Sequence, residues 1–176
     1  MLICFSGLVL GQDWKERKTW PDDFPRPPKT EKSLFFLQRN LNVNTIMYDL
    51  NVDRAGNIDT RNPLKVYWRR YTGGRPGVVE EITWLQEQFA FGYSADDKSD
   101  SEYAIKLVAY KDRIVHLKKV NGKWSAIMEI DGQPCKLSNI YVYADESVMM
   151  PAVQYVDLFG KTVSTGEAIY ERFYAE

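Results

Sequence analysis

From residue 33 onward the chain alternates apolar and polar positions with a period of two. In residues 44–53, Ile46, Tyr48, Leu50 and Val52 fall on one parity and Met47, Asp49 and Asn51 on the other, as in a strand with one face on a core. Leu64, Val66 and Trp68 repeat the pattern, with Lys65, Tyr67, Arg69 and Tyr71 facing the opposite way. A short apolar run at 34–38 precedes both. Tyr103, Ile105, Leu107 and Ala109 then share a face, residues 114–120 form the next strand, and Trp124, Ala126, Met128 and Ile130 line another. Further strands are expected at 137–144, 153–159 and 168–174. Turn residues separate them at residues 53–57, Lys111-Asp112, Asn121-Gly122, Asp131-Gly132 and Thr165-Gly166. Asn-Gly and Asp-Gly between alternating runs signal tight hairpins, because both central residues of that turn need positive φ.

One segment departs from this period. After the break at Thr72-Gly73-Gly74-Arg75-Pro76-Gly77, the residues Val78, Ile82, Leu85 and Phe89 recur at helical spacing. Glu80 and Glu81 suit the positive end of a helix dipole, and Gly92 suits its end. Residues 95–101 read as a polar, acidic loop. The expected fold is therefore mainly β, an antiparallel β-sandwich or barrel-like meander of about nine strands with one helix closing an end.

The N-terminal part has a different texture. Residues 1–12 are apolar and end at a small residue, Gly11, before the polar Asp13, which reads as the remnant of a secretory signal peptide. No Lys or Arg precedes the apolar run, and a start site placed too far downstream accounts for that. A buried N-terminal strand is the competing account. Residues 13–32 contain Pro21, Pro25, Pro27 and Pro28, which forbid a helix and predict an extended arm strapping Trp20 and Phe24 against the core. Residues 33–176 are then one β-rich domain. The expected location is extracytoplasmic, periplasmic or secreted, with no transmembrane helix in the mature chain.

Composition narrows the chemistry. The chain has 176 residues with 23 Lys plus Arg against 24 Asp plus Glu, and a formal net charge of −1. That balance argues against a nucleic-acid partner, which needs a basic excess to neutralise phosphates. One histidine removes multi-His metal sites, and two cysteines remove zinc ribbons and disulfide scaffolds. Loss of residues 1–12 leaves Cys135 alone. Neutrality hides segmentation: residues 54–75 hold six basic residues and one acid, 80–102 seven acids and one base, 106–123 six bases and one acid, and 129–176 three bases and eight acids. Internal complementarity across the fold is the simpler account of these blocks.

Several segments together resemble the domain of unknown function 4833 family. They are Gln38-Arg39-Asn40-Leu41-Asn42-Val43-Asn44-Thr45-Ile46-Met47-Tyr48-Asp49, Asn62-Pro63-Leu64-Lys65-Val66-Tyr67-Trp68, Phe89-Ala90-Phe91-Gly92-Tyr93, and Val153-Gln154-Tyr155-Val156-Asp157-Leu158-Phe159-Gly160 with Thr165-Gly166 and Tyr170-Glu171-Arg172. The likeness runs from about Phe24 to Phe173, and the combination rather than any one piece is specific. It implies a bacterial protein, often behind a signal peptide, and supplies no activity.

Candidate chemistry is sparse. His116 alternates with apolar neighbours on a strand, no Gly-x-Ser-x-Gly elbow precedes a helix, and Cys135 follows a proline in an expected turn, with no helix N-terminus to lower its pKa. Asp49-Leu50-Asn51-Val52-Asp53 has alternating oxygen ligands, but Arg54 stands where a calcium loop needs glycine and Thr60 where it needs glutamate. Gly73-Gly74-Arg75-Pro76-Gly77 lacks the Lys and Ser/Thr of a phosphate loop. No metal or cofactor is expected. Two candidate ligand surfaces remain. Arg39, Asn40, Asn42 and Asn44 cluster at a strand connection, where Asn is also favoured for turn geometry. Tyr67, Arg69 and Tyr71, with Lys65, make a basic-aromatic strip suited to anionic groups, sugars or a protein. The leading expectation is a non-catalytic extracytoplasmic binding or interaction domain whose partner is a small molecule, a glycan or an envelope protein. The alternatives are a hydrolase or lyase using carboxylates among Asp49, Asp157 and Glu171 with His116, and a structural envelope component.

Overall fold

A computed structural model describes residues 24–40, 42–74, 76–99, 101–111, 113–145 and 152–174. The signal-like segment, Trp20 and most of the Pro-rich arm lie outside the described residues. In chain order the elements are β1 (Ser33–Arg39), β2 (Asn42–Leu50), β3 (Leu64–Arg70), β4 (Val78–Glu81), the helical turn α1 (Trp84–Gln86) continuing as a π-helical turn (Glu87–Phe91), β5 (Tyr93–Ser99), β6 (Glu102–Leu107), β7 (Val115–Val120), β8 (Lys123–Ile130), β9 (Gln133–Asp145), β10 (Ala152–Thr162) and β11 (Ala168–Tyr174).

All eleven described strands form one sheet, and β9 organises it. Along one edge β9 pairs with β10, which in turn pairs with β11. The other edge is divided. Residues 133–136 pair antiparallel with β8, whereas Asn139–Val142 pair with β1 in parallel. The sheet therefore splits into two wings, β1-β2-β3-β4 and β8-β7-β6-β5, which curl toward each other as a half-barrel. Their facing sides share one core, with Leu37, Ile46, Tyr48 and Trp68 from the first wing and Tyr103, Ile105, Leu117 and Met128 from the second. The helical turns run from β4 to β5, the outer strands of the two wings, and so bridge the open side. Tyr48 reinforces this closure by donating its hydroxyl to the Phe91 carbonyl at 2.8 Å.

The local signals operate as expected at the hairpins. Asn121 and Gly122 take φ of 52° and 77°, and Asp131 and Gly132 take 49° and 71°. The divided edge of β9 depends on a glycine. Phe159 faces Asn139 and Gly160 faces Leu137, so Ser138 is an extra residue at the changeover from β8 to β1. A Cβ at Gly160 would stand 2.7 Å from Ile130 Cδ1 and 2.9 Å from the Lys136 carbonyl oxygen. Only a bare backbone fits there.

Four expectations need correction. The sheet is mixed rather than purely antiparallel, because β1 and β9 run in the same direction. Val78–Glu81 is strand β4, paired with β3, and the helix is confined to residues 84–91. Val78, Leu85 and Phe89 are 44%, 61% and 75% exposed, so most of the apparent helical stripe is surface. Residues 95–99 belong to strand β5 rather than a loop, an acidic outer strand of the kind that resists edge-to-edge pairing. Cys135 lies buried within β9, not in a turn, and burial pushes its thiol pKa up.

The outer side of the sheet is covered too. Phe24 is buried with Tyr141 and Tyr155, beside Phe36, Val43 and Phe159, so the described end of the arm straps the sheet from outside. Asp157 and Arg172 face each other across β10 and β11 as a buried bidentate pair at 2.6 and 2.8 Å, and Tyr170 donates to the same carboxylate. No helix among the described residues is long and apolar enough to cross a membrane. Replacing Gly160 with alanine forces the bulge open and lowers stability by ~1–3 kcal/mol. Urea unfolding of Gly160→Ala measures this, and an unchanged midpoint would show that the β9–β10 ribbon does not need the bare backbone.

Candidate functional site

The connection between β1 and β2 is tight because Asn40 adopts φ of 49°, a left-handed conformation that asparagine tolerates better than most side chains. Its amide donates to the Val142 carbonyl at 2.9 Å, and its Oδ1 accepts the Ala144 amide at 2.7 Å. Asn40 thus fastens the hairpin to β9. Asn42 Oδ1 accepts the Asn44 amide at 3.0 Å. Asn44 in turn accepts the amides of Tyr71 at 2.8 Å and Thr72 at 3.3 Å, fixing the end of β3 against β2. The asparagine-rich connection is largely a frame.

What this frame holds is Arg39. Its side chain shares an inward face with Leu37 and lines a cleft of about 380 Å³. Asn42 and Asn44 form one wall, Leu37 and Ile46 the floor, and Trp68, Gln86 and Phe91 the opposite wall. Trp68 packs edge-on to Phe91 at 5.2 Å, and its indole N–H donates to Gln86 Oε1 at 3.2 Å. The same oxygen accepts the Thr83 amide at 3.0 Å while Thr83 Oγ1 accepts the Gln86 amide, a reciprocal cap that sets the helical turn over the cleft. Both lone pairs of Gln86 Oε1 are therefore used inside the protein.

Arg39 is half-buried and makes no hydrogen bond or ion pair with a described residue, and its Nε is buried without a partner. A guanidinium removed from water without an acceptor is unfavourable, which makes the placement of Arg39 chemically informative. The amide nitrogens of Asn42 and Gln86 also lack partners among the described residues. Among the described residues, no carboxylate lines this cleft. It offers donors and one positive charge, the equipment for an oxyanion attached to a compact apolar body.

The other residues singled out in the sequence lie elsewhere. Tyr67, Arg69 and Tyr71 alternate with Trp68 and face the opposite side of β3. Tyr67 is buried and donates to Asp49 Oδ2 at 2.9 Å, and burial, then that hydrogen bond, raise its pKa. Arg69 Nη1 donates to the Gly77 carbonyl at 3.1 Å. The structure thus brings Arg39, Asn42 and Asn44 together and separates Tyr67, Arg69 and Tyr71 from them. Trp68 was legible only as core, while Gln86 had a readable signal in the capping spacing Thr83-Trp84-Leu85-Gln86.

The acidic candidates each have a separate partner. Asp49 holds Tyr67, Asp157 holds Arg172, and Glu171 holds Arg113 at 2.7 and 2.8 Å while accepting the Asp131 amide. His116 Nδ1 lies 2.9 Å from Glu102 Oε1. Asp53 accepts the Ala55 and Asn57 amides within its own turn. Among the described residues, no group of three or more His, Cys, Asp or Glu side chains is placed to hold a metal ion.

A family model described as domain of unknown function (DUF4833) matches residues 35–172, nearly the whole chain. No curated protein and no solved structure matches the sequence.

Two stability predictions follow from this geometry. Asn40→Ala loses both the left-handed tolerance and a buried acceptor, lowering stability by ~1–3 kcal/mol, whereas Asn42→Ala has a smaller effect. Paired urea titrations distinguish them, and equal losses would contradict the assigned roles. Burial raises the Glu171 pKa, but Arg113 and the Asp131 amide outweigh it and leave it below the usual value. The ionised pair stabilises the fold above the ordinary Glu range of about 4.3, and that stabilisation disappears as pH falls through the lowered folded value. The melting-temperature gap between the parent and Glu171→Gln should therefore close between neutral pH and about pH 3. A gap that persists at low pH would show that the Glu171 charge is not the stabilising element.

Proposed function

The chain belongs to the domain of unknown function DUF4833 family, whose description assigns no activity, and from that premise we propose a non-catalytic binding domain. Its ligand is a small molecule carrying a carboxylate or similar oxyanion on a compact apolar body. The observation that carries this reading is the Arg39 guanidinium, held half-buried without a partner among the described residues in a cleft whose unused polar groups are donors. Leu37, Ile46, Trp68 and Phe91 supply the apolar surface, and Arg39 with the Asn42 and Gln86 amides takes the oxyanion. The separate engagement of Asp49, Asp157, Glu171 and His116 favours binding over carboxylate-based hydrolysis, since acid–base work needs two such groups at one bond. We further place the domain outside the cytoplasm, on the leader-like composition of residues 1–12.

Isothermal titration with acetate, benzoate, glucuronate and inorganic phosphate tests the assignment. At least one carboxylate should saturate a single site. Arg39→Ala with Asn42→Ala should weaken it by ~10–100-fold, the scale of a lost charge-assisted hydrogen bond. The double variant should keep nearly the parent melting temperature, because neither side chain fills the core. Failure of every probe to saturate would overturn the proposal. So would undiminished binding by the double variant.

A further inference from the structure

The opposite face of β1 borders a second, larger cleft. Its volume is about 580 Å³, and it lies between the arm and the outer faces of β9, β10 and β11. Arg26 and Lys29 from the arm and Lys161 from β10 stand at its margins, and Phe36, Phe159 and Tyr170 form its ring surfaces. An adjoining cleft of about 260 Å³ shares Lys29, Ser138 and Lys161 and adds Lys136 and Trp124. The two form a continuous groove along the sheet. Among the described residues, no acidic side chain lines either part.

Its cations are clustered and unpaired among the described residues, and a buried amide beside them distinguishes the groove from ordinary surface lysines. Arg26, Lys29, Lys136 and Lys161 make no ion pair with a described residue, although acids slightly outnumber bases in the whole chain. Asn139, only 6% exposed, lines the larger cleft with its Nδ2 buried and without a hydrogen-bond partner. Its place is set by the β9 bulge at Ser138, the residue common to both clefts. A buried amide donor needs an acceptor, and the four surrounding cations specify a negatively charged one.

We propose that this groove is a second ligand site that binds a short acidic glycan. Sugar carboxylates or sulfates meet Lys29 and Lys161 at the junction, with Arg26 and Lys136 toward the two ends. Asn139 Nδ2 donates to a ring or hydroxyl oxygen, and the exposed parts of Phe159, Tyr170 and Trp124 pack against sugar faces. A glycan fits better than a nucleic-acid strand. The rings are half-buried rather than open stacking platforms, and the near-neutral chain lacks the basic excess of a phosphate-backbone binder.

The test titrates the full chain with a tetrameric oligogalacturonate, a heparin-derived tetrasaccharide and a dT8 oligonucleotide at two salt concentrations. One acidic oligosaccharide should bind with one-to-one stoichiometry, and Lys29→Glu with Lys161→Glu should weaken it at least tenfold. Asn139→Ala should weaken it several-fold with little change in salt dependence, which separates the amide from the charges. Arg39→Ala with Asn42→Ala should leave this binding intact while weakening small-carboxylate binding by ~10–100-fold, so the two sites fail independently. If the charge-reversed protein does not fold, Lys29→Gln with Lys161→Gln replaces it, with circular dichroism as the check. Absence of oligosaccharide binding overturns the proposal. So does equal or tighter binding of the oligonucleotide, or affinity unaffected by either lysine pair.

Discussion

The half-barrel rests on the divided edge of β9. One edge of a strand can carry only one hydrogen-bonded neighbour at each residue, and β9 gives residues 133–136 to β8 and Asn139–Val142 to β1. The changeover needs an extra residue so that both partners keep their registers, and Ser138 supplies it opposite Gly160. From this splice the two wings diverge and fold back over a shared core that includes Leu37, Tyr48, Leu117 and Met128. The helical turns between β4 and β5 then have a defined gap to cross. The Arg39 cleft is where that crossing leaves space beneath Gln86 and Phe91.

Charge follows the same architecture. The alternating basic and acidic blocks meet as neighbours in the sheet: Arg70 pairs with Glu80 and Lys65 with Glu81 across β3–β4, while Lys106 meets Asp96 across β5–β6. Arg113 closes on Glu171 from the C-terminal acidic part. Most of these pairs are exposed and contribute little individually. Their effect on function is subtractive, because they take Lys65 and Arg70 of one basic block and Lys106 and Arg113 of the other into internal pairs. Arg39 in β1, Arg26 and Lys29 in the arm, and Lys136 and Lys161 inside the acidic C-terminal part are among the cations that make no ion pair with a described residue. The basic segments 54–75 and 106–123 therefore did not point to either cleft, whose cations lie outside them.

Local order was readable where local chemistry decides it. The inner faces Ile46-Tyr48 and Leu64-Val66-Trp68, and the Asn121-Gly122 and Asp131-Gly132 turns, follow from alternation and φ preference alone. Two features depend on remote partners and left no local trace. The parallel β1–β9 pairing joins segments about a hundred residues apart in sequence, and β4 becomes a strand only because β3 offers it an edge. The helical spacing of Val78, Leu85 and Phe89 misled because a period reports where apolar residues stand, not whether anything covers them. At the site, Arg39 with Asn42 and Asn44 was visible as a polar cluster, but the wall contributed by Trp68, Gln86 and Phe91 arises from packing between elements.

The two clefts are consequences of one strand's parity. β1 turns Leu37 and Arg39 inward and Phe36 outward, so a single segment lines the inner cleft with one set of side chains and the outer groove with the other. It is held by β2 on one edge and β9 on the other, with Asn40 fastening its end to Val142 and Ala144. A one-residue slip would reverse every side chain and destroy both clefts together, with Arg39 turned outward and Phe36 placed in the core. Three separate ties therefore oppose that slip: the parallel ladder to β9, the antiparallel ladder to β2 and the left-handed Asn40. This places β1's contribution to both clefts on a rigid element rather than a loop, so that the proposed selectivity rests on the fixed positions of Arg39 and Asn139 instead of on a closing segment.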